Sequence, residues 1–196
     1  SSLLEIGKDS VITGTQNGVY LIRNKTEVSP LKLKSVAGSS ILSMLRYGPH
    51  ILFGTADNGL IIWNRKTGAV KQLSTRDGLF SDHIYTLLAD RKGVIWIGTG
   101  RGINRLSAKN FSLIRNSNEN ALVVECNQNA ILEHQDNIWI GTTKGAIVYD
   151  THASPSAVSR SLMSGARIAF TVSWCSRSIT ARGVPPGPRR PNHCTA

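Results

Sequence analysis

The run Gly98-Thr99-Gly100-Arg101-Gly102 is the stretch of this sequence whose residue types and spacing most suggest chemistry, because closely spaced glycines can wrap a phosphate group. A phosphate-binding loop needs a helix directly after its glycines, since the helix N-terminus supplies the backbone N–H groups. Ile103 to Leu106 follows instead and predicts a strand. The sequence therefore indicates a turn between strands, not a nucleotide site.

Other reactive side chains lack the spacing that catalysis or metal binding requires. The histidines show no metal-ligand pattern, the three cysteines are far apart, and the acidic residues fall mostly at turns. We therefore predict no catalytic residue, no metal site and no cofactor. His83, just before a strand, is the one histidine kept as a candidate for ligand binding.

The glycine-rich run belongs to a repeat, and this repeat organises the chain. Gly-Thr pairs recur at intervals of about 40 to 45 residues, which is the period of propeller blades built from short strands. The pairs, each followed by a further glycine, are Gly14-Thr15 with Gly18, Gly54-Thr55 with Gly59, Gly98-Thr99 with Gly102, and Gly141-Thr142 with Gly145.

The predicted fold is all-β, with blades of four antiparallel strands, about four repeats, and an incomplete propeller. In the third repeat, the strands run from 84 to 89, 94 to 97, 102 to 106 and 111 to 114. In the second, they run from 41 to 45, 51 to 53, 60 to 63 and 70 to 73. The first repeat predicts strands at 1 to 6, 11 to 13, 19 to 22 and 31 to 34, and the fourth starts at Ala130.

The second strand of each repeat is continuously apolar, which predicts burial on both of its faces. Trp96 and Trp139 occupy equivalent positions there and are interpreted as packing residues. Gly98 should close the strand before a tight turn in which one residue takes positive φ, while the Thr99 hydroxyl bonds the turn backbone. Replacing Gly98 by Val should strain that turn. The residues to which we assign a structural role are Trp96, Gly98, Thr99, Gly102, Trp139, Gly141 and Thr142.

We predict blades at approximately 1–35, 36–75, 76–115 and 116–150, followed by a different segment at 151–196. This segment is rich in serine, proline and arginine and has neither lysine nor acidic residues. It is interpreted as disordered or non-native, for example as translation in a wrong frame. An alternative is one strand over 168–174 that extends the fourth blade.

Composition limits the partners. The formal charge is +11, but much of the excess lies after Asp150, and the remainder is scattered, so we expect no nucleic-acid binding. No apolar run is long enough to span a bilayer, and no signal peptide is evident, so we expect no membrane insertion by this chain.

The loops between second and third strands, together with the connections between blades, open on one face of a propeller, where ligands bind. We predict a polar, slightly basic rim with one exposed aromatic residue, suited to a glycan or a peptide. The candidate ligand-binding residues are Asp57, Asn58, Arg76, Phe80, His83, Arg101 and Lys144.

The third repeat closely resembles the two-component regulator propeller repeat. The resemblance is carried by Asp77-Gly78-Leu79-Phe80, Asp90 to Gly93, Ile95-Trp96-Ile97-Gly98-Thr99 and Gly102 to Leu106. It is good in the fourth repeat and degenerate in the first two, where Ile12 and Leu52 replace the tryptophan. It implies a bacterial periplasmic sensor region of a hybrid histidine kinase that responds to oligosaccharides, and it transfers no ligand-binding positions.

Three functions stay open. The first is a non-enzymatic sensor fragment that binds an oligosaccharide, with acidic ones included because of the basic rim. The second is a propeller enzyme such as a polysaccharide or lactone lyase, and the third is a protein-interaction scaffold. The family resemblance implies about seven blades per ring, so a chain of four should expose blade faces and self-associate.

Overall fold

The computed structural model describes residues 2–115, 123–143 and 145–150. Lys144, the connection at 116–120 and the segment 151–196, including its predicted strand, lie outside the described residues. The described chain forms four antiparallel sheets, each wound from consecutive strands, in the arrangement of propeller blades.

The first sheet contains β1 (Ser2–Gly7), β2 (Ser10–Thr15), β3 (Gly18–Arg23) and β4 (Glu27–Pro30). The second contains β5 (Ile41–Tyr47), β6 (His50–Thr55), β7 (Leu60–Asn64) and β8 (Val70–Leu73). The third contains β9 (Ile84–Ala89), β10 (Val94–Thr99), β11 (Ile103–Ser107) and β12 (Ser112–Leu113). The fourth contains β13 (Cys126–His134), β14 (Asn137–Thr142) and β15 (Gly145–Asp150). Short 3-10 turns, Lys34–Val36 and Thr75–Asp77, lie between sheets.

The all-β class and the blade architecture predicted from the repeat are confirmed. The outer strand of the first sheet differs from the prediction: it is Glu27–Pro30, not residues 31 to 34. Asn24 and Lys25 both adopt positive φ, 49° and 64°, and this reverses the chain before Glu27 without a glycine. The first strand of the fourth sheet also begins earlier than predicted, at Cys126.

The two middle sheets bury both faces of their central strands. On β6, Ile51 and Phe53 belong to the core shared with the first sheet, whereas Leu52 belongs to the core shared with the third. On β10, Ile95 and Ile97 face the second sheet, and Trp96 faces the fourth. Side chains alternate across a strand, so an apolar run supplies two cores at once.

Trp96 and Trp139 differ in burial although they hold equivalent positions. Trp96 is 1% exposed, as expected of a packing residue. Trp139 is 40% exposed, so its interpretation as a buried packing residue is wrong. Ile138 and Ile140 on either side of it face the third sheet, and Trp139 therefore points to the opposite face of the fourth sheet.

The glycine of each Gly-Thr pair allows close packing around the central strand, a role that the sequence did not indicate. Gly98 lies within β10 and does not have positive φ, but a Cβ there would come within 2.5 Å of Thr86 Cγ2 and 2.6 Å of Cys126 Sγ. At Gly14, the Cγ2 of Ile41 would lie at 2.6 Å, and Gly54 meets Ile84 in the same way at 2.7 Å. Each glycine thus leaves room both for the first strand of its own sheet, at Ser2, Ser43 or Thr86, and for the first strand of the next sheet.

The threonine after each of these glycines bonds the turn backbone, as the sequence suggested. Thr99 Oγ1 donates to the carbonyl of Gly102 at 2.7 Å and accepts the N–H of that residue at 3.0 Å. The other three threonines donate to the equivalent carbonyl at 2.8 to 3.0 Å. The predicted turn residue with positive φ is confirmed in three repeats, where it is the further glycine after the Gly-Thr pair, namely Gly18, Gly59 and Gly145.

Candidate functional site

A polar groove of about 480 Å³ opens where the second sheet meets the connection to the third. The loop between β6 and β7 forms one wall, the end of β8 the floor, and the connection before β9 the other wall. Its lining residues are Asp57, Asn58, Gln72, Ser74, Thr75, Arg76, Asp77 and Asp82. Each lining side chain carries a hydrogen-bonding group, so the groove suits a ligand rich in hydroxyl groups.

The β6–β7 loop is held in place before any ligand arrives. Thr55 Oγ1 accepts the backbone N–H of Asn58 at 2.8 Å, and Gly59 takes the left-handed conformation that the turn requires. The Asn58 side chain donates to Ser39 Oγ at 3.0 Å, and Gly59 N–H donates to the Asp82 carbonyl at 3.0 Å. These bonds tie the loop to Ser39, before β5, and to the opposite wall at Asp82, which presents the exposed Asp57 at the groove edge.

Two carboxylates fold the connection between the second and third sheets. Asp77 Oδ2 accepts the N–H and the hydroxyl of Ser74, at 2.8 and 2.9 Å, in a capping box. Asp82 accepts the N–H and the hydroxyl of Thr75, at 2.7 and 3.1 Å. The bonds from Ser74, with smaller contributions from Lys71 and Arg76, lower the pKa of Asp77 below its ordinary value. Arg76 lies between Thr75 and Asp77 in sequence, and its side chain is exposed.

Asn104 fixes the rest of this connection and was not identified from the sequence as a site residue. Its amide donates to the Gly78 carbonyl at 3.1 Å, and its Oδ1 accepts the Phe80 N–H at 2.9 Å. Phe80 is therefore half-buried, whereas the sequence suggested an exposed aromatic residue. The signal that could have indicated such a bridge is an asparagine at a strand position that holds Tyr20, Ile61 and Ile147 in the other repeats.

The structure brings together three of the predicted site residues, Asp57, Asn58 and Arg76, in one groove. His83 is half-buried, with its ring 4.7 Å from that of Tyr85. Arg101 is exposed in the β10–β11 loop, which the His83 carbonyl holds through Gly100 N–H at 3.1 Å. Phe80, His83 and Arg101 do not line the groove, and Lys144 lies outside the described residues.

The charge of the groove differs from the charge predicted for the ligand-binding rim. Three aspartates and one arginine line it, so it is acidic where the sequence suggested a slightly basic surface. An equivalent groove of about 550 Å³ at the junction of the first and second sheets is lined by uncharged residues, including Gln16 and Asn17. The acidic character of the groove comes from Asp57 in the β6–β7 loop and from Asp77 and Asp82 in the connection, and the junction of the first and second sheets does not share it.

Within the ranges that the structure describes, no group of histidine, cysteine or carboxylate side chains has the geometry of a metal site. In the same ranges, no helix has the length and apolar character needed to cross a membrane.

A family model for the two-component regulator propeller matches residues 78–101. This match spans the Asn104-bound connection after Gly78, the whole of β9 and β10, and the Gly-Thr turn. The segment that contains β9 and β10 is therefore similar to a regulator-propeller repeat. The resemblance drawn from residues Asp77 to Leu106 is therefore confirmed for this repeat.

Solved structures with a similar fold include the extracellular domain of a two-component system and two designed proteins. The extracellular domain of BT4673 from B. thetaiotaomicron, assigned as a hybrid two-component system, matches with a TM-score of 0.64 and 19% identity over 76% of this chain. The designed proteins Ika4 and Ika8 match with TM-scores of 0.53 and 0.56, at 15% and 18% identity, each over 76% of this chain. These likenesses establish the fold.

The extent of each match differs. This chain spans only 20% of the length of the BT4673 domain, but 91% of Ika4 and 46% of Ika8. The matched part of this chain thus corresponds to nearly a whole Ika4 chain and to about half of an Ika8 chain. A comparison with curated proteins gave no match.

Proposed function

We propose that this chain is a non-catalytic, ligand-sensing part of a bacterial two-component regulator and that its ligand is an oligosaccharide. The polar groove at Asp57, Asn58 and Arg76 carries the proposal. The regulator-propeller match and the likeness to an extracellular sensor domain support the sensing role. The same likeness supports a place outside the cytoplasm, in the periplasm or at the cell surface.

The groove has the chemistry that sugar hydroxyl groups require. Carboxylate oxygens accept hydrogen bonds from hydroxyl groups, the Arg76 guanidinium donates to them, and the amides of Asn58 and Gln72 can do either. Because three of the lining residues are aspartates, a neutral oligosaccharide suits the groove better than an acidic one. This replaces the preference for acidic sugars that a basic rim would have given.

The state of the carboxylates favours binding over catalysis. A general acid in a glycosidase or lyase needs a raised pKa, so that it holds a proton near neutral pH. The pKa of Asp77 is lowered, and Asp82 already accepts two hydrogen bonds from Thr75. Both residues therefore act as structural acceptors that position Arg76.

The groove also offers a way to transmit binding. One wall belongs to the second sheet, and the other leads directly into β9 of the third. A ligand that spans the walls would favour one relative position of the two sheets, and this differential affinity is what a sensor needs.

A calorimetric and thermal-shift screen of the chain against neutral and acidic oligosaccharides tests the proposal. We expect a neutral oligosaccharide to bind, and Asp57→Ala and Arg76→Ala each to weaken its binding at least about tenfold, since each removes groups that contact the ligand. Asp9→Ala and Arg46→Ala change exposed residues of the same types outside the groove and should leave affinity unchanged. Absence of binding across the panel, or equal losses in the control variants, would contradict the proposal.

A further inference from the structure

The two terminal sheets of the described chain each leave one apolar face exposed. On the first sheet, Leu3 and Val28 are 61% and 64% exposed. On the fourth, Leu132 is 61% exposed and lies beside Trp139 in the β13–β14 register. The middle sheets, in contrast, are covered on both faces.

Three interfaces inside the chain follow one rule. Each interface contains three side chains. Two come from one sheet: a residue of its second strand and the cross-strand partner of that residue on its third strand. The other comes from the third strand of the next sheet. Between the third and fourth sheets these are Trp96, Arg105 and Tyr149: Arg105 Nη1 donates to the Tyr149 hydroxyl at 2.7 Å, and the Trp96 and Tyr149 ring centroids are 4.9 Å apart. The equivalent sets are Leu52, Ile62 and Leu106 between the second and third sheets, and Ile12, Leu21 and Trp63 between the first and second.

Each exposed end face carries one half of this interface. The fourth sheet presents Trp139 with its cross-strand partner Val148, the positions of Trp96 and Arg105. The first sheet presents Ile22, the position of Tyr149, with Val28 beside it in register. The two faces are therefore complementary to each other, and neither is complementary to itself.

We propose that the exposed face of the fourth sheet binds the exposed face of the first sheet of a second copy of this chain, head to tail. The contact brings Trp139 and Val148 against Ile22 of the second copy and repeats the packing of the internal interfaces. It covers apolar side chains that would otherwise face water. The match to 91% of Ika4 and to 46% of Ika8 fits a four-sheet unit that can be doubled.

Because two separate chains lose translational and rotational freedom when they associate, we expect the contact to be weaker than the internal interfaces. In those, Ile41, Ile84 or Cys126 occupies the space beside the glycine of the preceding sheet. Among the described residues, the three atoms nearest to a Cβ at Gly141 all belong to Ala130 of its own sheet, at 2.9 to 4.0 Å. The association should therefore be reversible on dilution.

Sedimentation velocity and light scattering over a range of concentrations test the proposal on the full chain. We expect the wild-type chain to associate as concentration rises. Trp139→Asp and Val28→Asp should each abolish the association and leave the melting temperature almost unchanged, since both side chains are exposed. Val123→Asp alters an exposed valine outside the two faces and should associate like the wild type.

Mixing the variants Trp139→Asp and Val28→Asp distinguishes head-to-tail association from association through two identical faces. The intact fourth sheet of Val28→Asp can bind the intact first sheet of Trp139→Asp, so the mixture should form a one-to-one heterodimer whose other ends are blocked. A mixture that stays monomeric would overturn the proposal, as would association that only one of the two substitutions abolishes. A wild-type chain that is monomeric at all concentrations would also overturn it and would leave the faces to a further sheet of a longer polypeptide or to another protein. None of these outcomes depends on the groove having a ligand.

Discussion

The Trp96 indole nitrogen donates a hydrogen bond of 2.8 Å to Oδ2 of Asp90, the residue that begins the preceding hairpin turn. The other oxygen of the same carboxylate accepts the backbone N–H groups of Lys92 and Val94, at 2.9 and 2.8 Å. One buried side chain thus closes the turn and fixes the orientation of the largest core residue. This accounts physically for the spacing between the aspartate and the tryptophan in the third repeat.

Replacing Asp90 should destabilise the third sheet in graded steps. Asp90→Ala leaves three donors without their acceptor, so we expect the free energy of unfolding to fall by about 2 to 4 kcal/mol. Asp90→Asn keeps one acceptor oxygen, and we expect a loss of about half that size. Urea unfolding followed by tryptophan fluorescence measures both. Asp9→Ala, in an exposed turn of the first sheet, is the control and should change stability by less than about 0.5 kcal/mol.

Arg105 should stabilise the interface between the third and fourth sheets through its stacking as well as its hydrogen bond. Its guanidinium carbon lies 5.8 Å from the Trp96 ring centroid and 5.3 Å from that of Tyr149. Arg105→Lys loses the planar stacking, and we expect a cost of about 1 to 2 kcal/mol in urea unfolding. Tyr149→Phe keeps the ring and removes only the acceptor, so a loss equal to that of Arg105→Lys would contradict a stacking role.

The sequence predicted the strands best where apolar runs and glycine turns coincide. β6 to β8 and β9 to β11 lie within a few residues of their predicted positions, because continuous apolar runs such as Ile51 to Phe53 indicate strands that are buried on both faces. β4 was misplaced because its hairpin turns at Asn24 and Lys25, which adopt positive φ without a glycine. The local pattern carries no strong signal for such a turn.

The site was harder to predict because its residues acquire their roles through contacts between repeats. Asp57 and Arg76 were identified from loop position alone, but nothing in their spacing indicates that they share a groove. Asn104 acts on a connection that precedes it by more than 20 residues in sequence, and only the sheet brings the two together. Phe80 is partly buried for the same reason.

Acid should release the capping box that positions Arg76. The pKa of Asp77 is lowered by its bonds from Ser74, so the folded connection binds this proton less tightly than the unfolded chain does. The stabilisation is therefore present above the ordinary pKa of 3.8 and is lost as the pH falls through the lowered pKa of the folded state. An NMR titration of the Asp77 carboxyl carbon measures this. Ser74→Ala removes the hydroxyl donor and should raise the pKa; an unchanged value would contradict the assigned cause.

Cys126 should be unreactive in the folded chain. Burial between the third and fourth sheets raises the pKa of its thiol from 9.0 to about 12, so hardly any thiolate exists near neutral pH. In a variant with Cys175→Ser and Cys194→Ser, a thiol reagent at pH 8 should modify Cys126 only after denaturant is added. The linked stability is fully present below pH 9 and is lost as the pH rises towards 12, because the unfolded thiol then ionises first. Rapid modification without denaturant would contradict the buried position.

Gly98 and Gly141 occupy equivalent positions but should respond differently to an added methyl group. A Cβ at Gly98 would press on Thr86 Cγ2 and Cys126 Sγ, at 2.5 and 2.6 Å, in the packed space between two sheets, so Gly98→Ala should cost about 1 to 3 kcal/mol. A Cβ at Gly141 would meet Ala130 at 2.9 Å, beside an exposed face, and Gly141→Ala should cost less than half as much.

A double-mutant cycle separates this packing effect from a general intolerance of β-carbons in the strand. Cys126→Ala removes the sulfur that the new methyl group would strike, so it should be less costly, or even neutral, in the Gly98→Ala background than in the wild type. Urea unfolding of the four proteins gives the coupling. Neither Gly98 nor Gly141 has positive φ, and a backbone effect would therefore appear equally at both positions. Equal losses at the two glycines, with no coupling to Cys126, would show that the repeated glycine does not serve the approach of the next sheet.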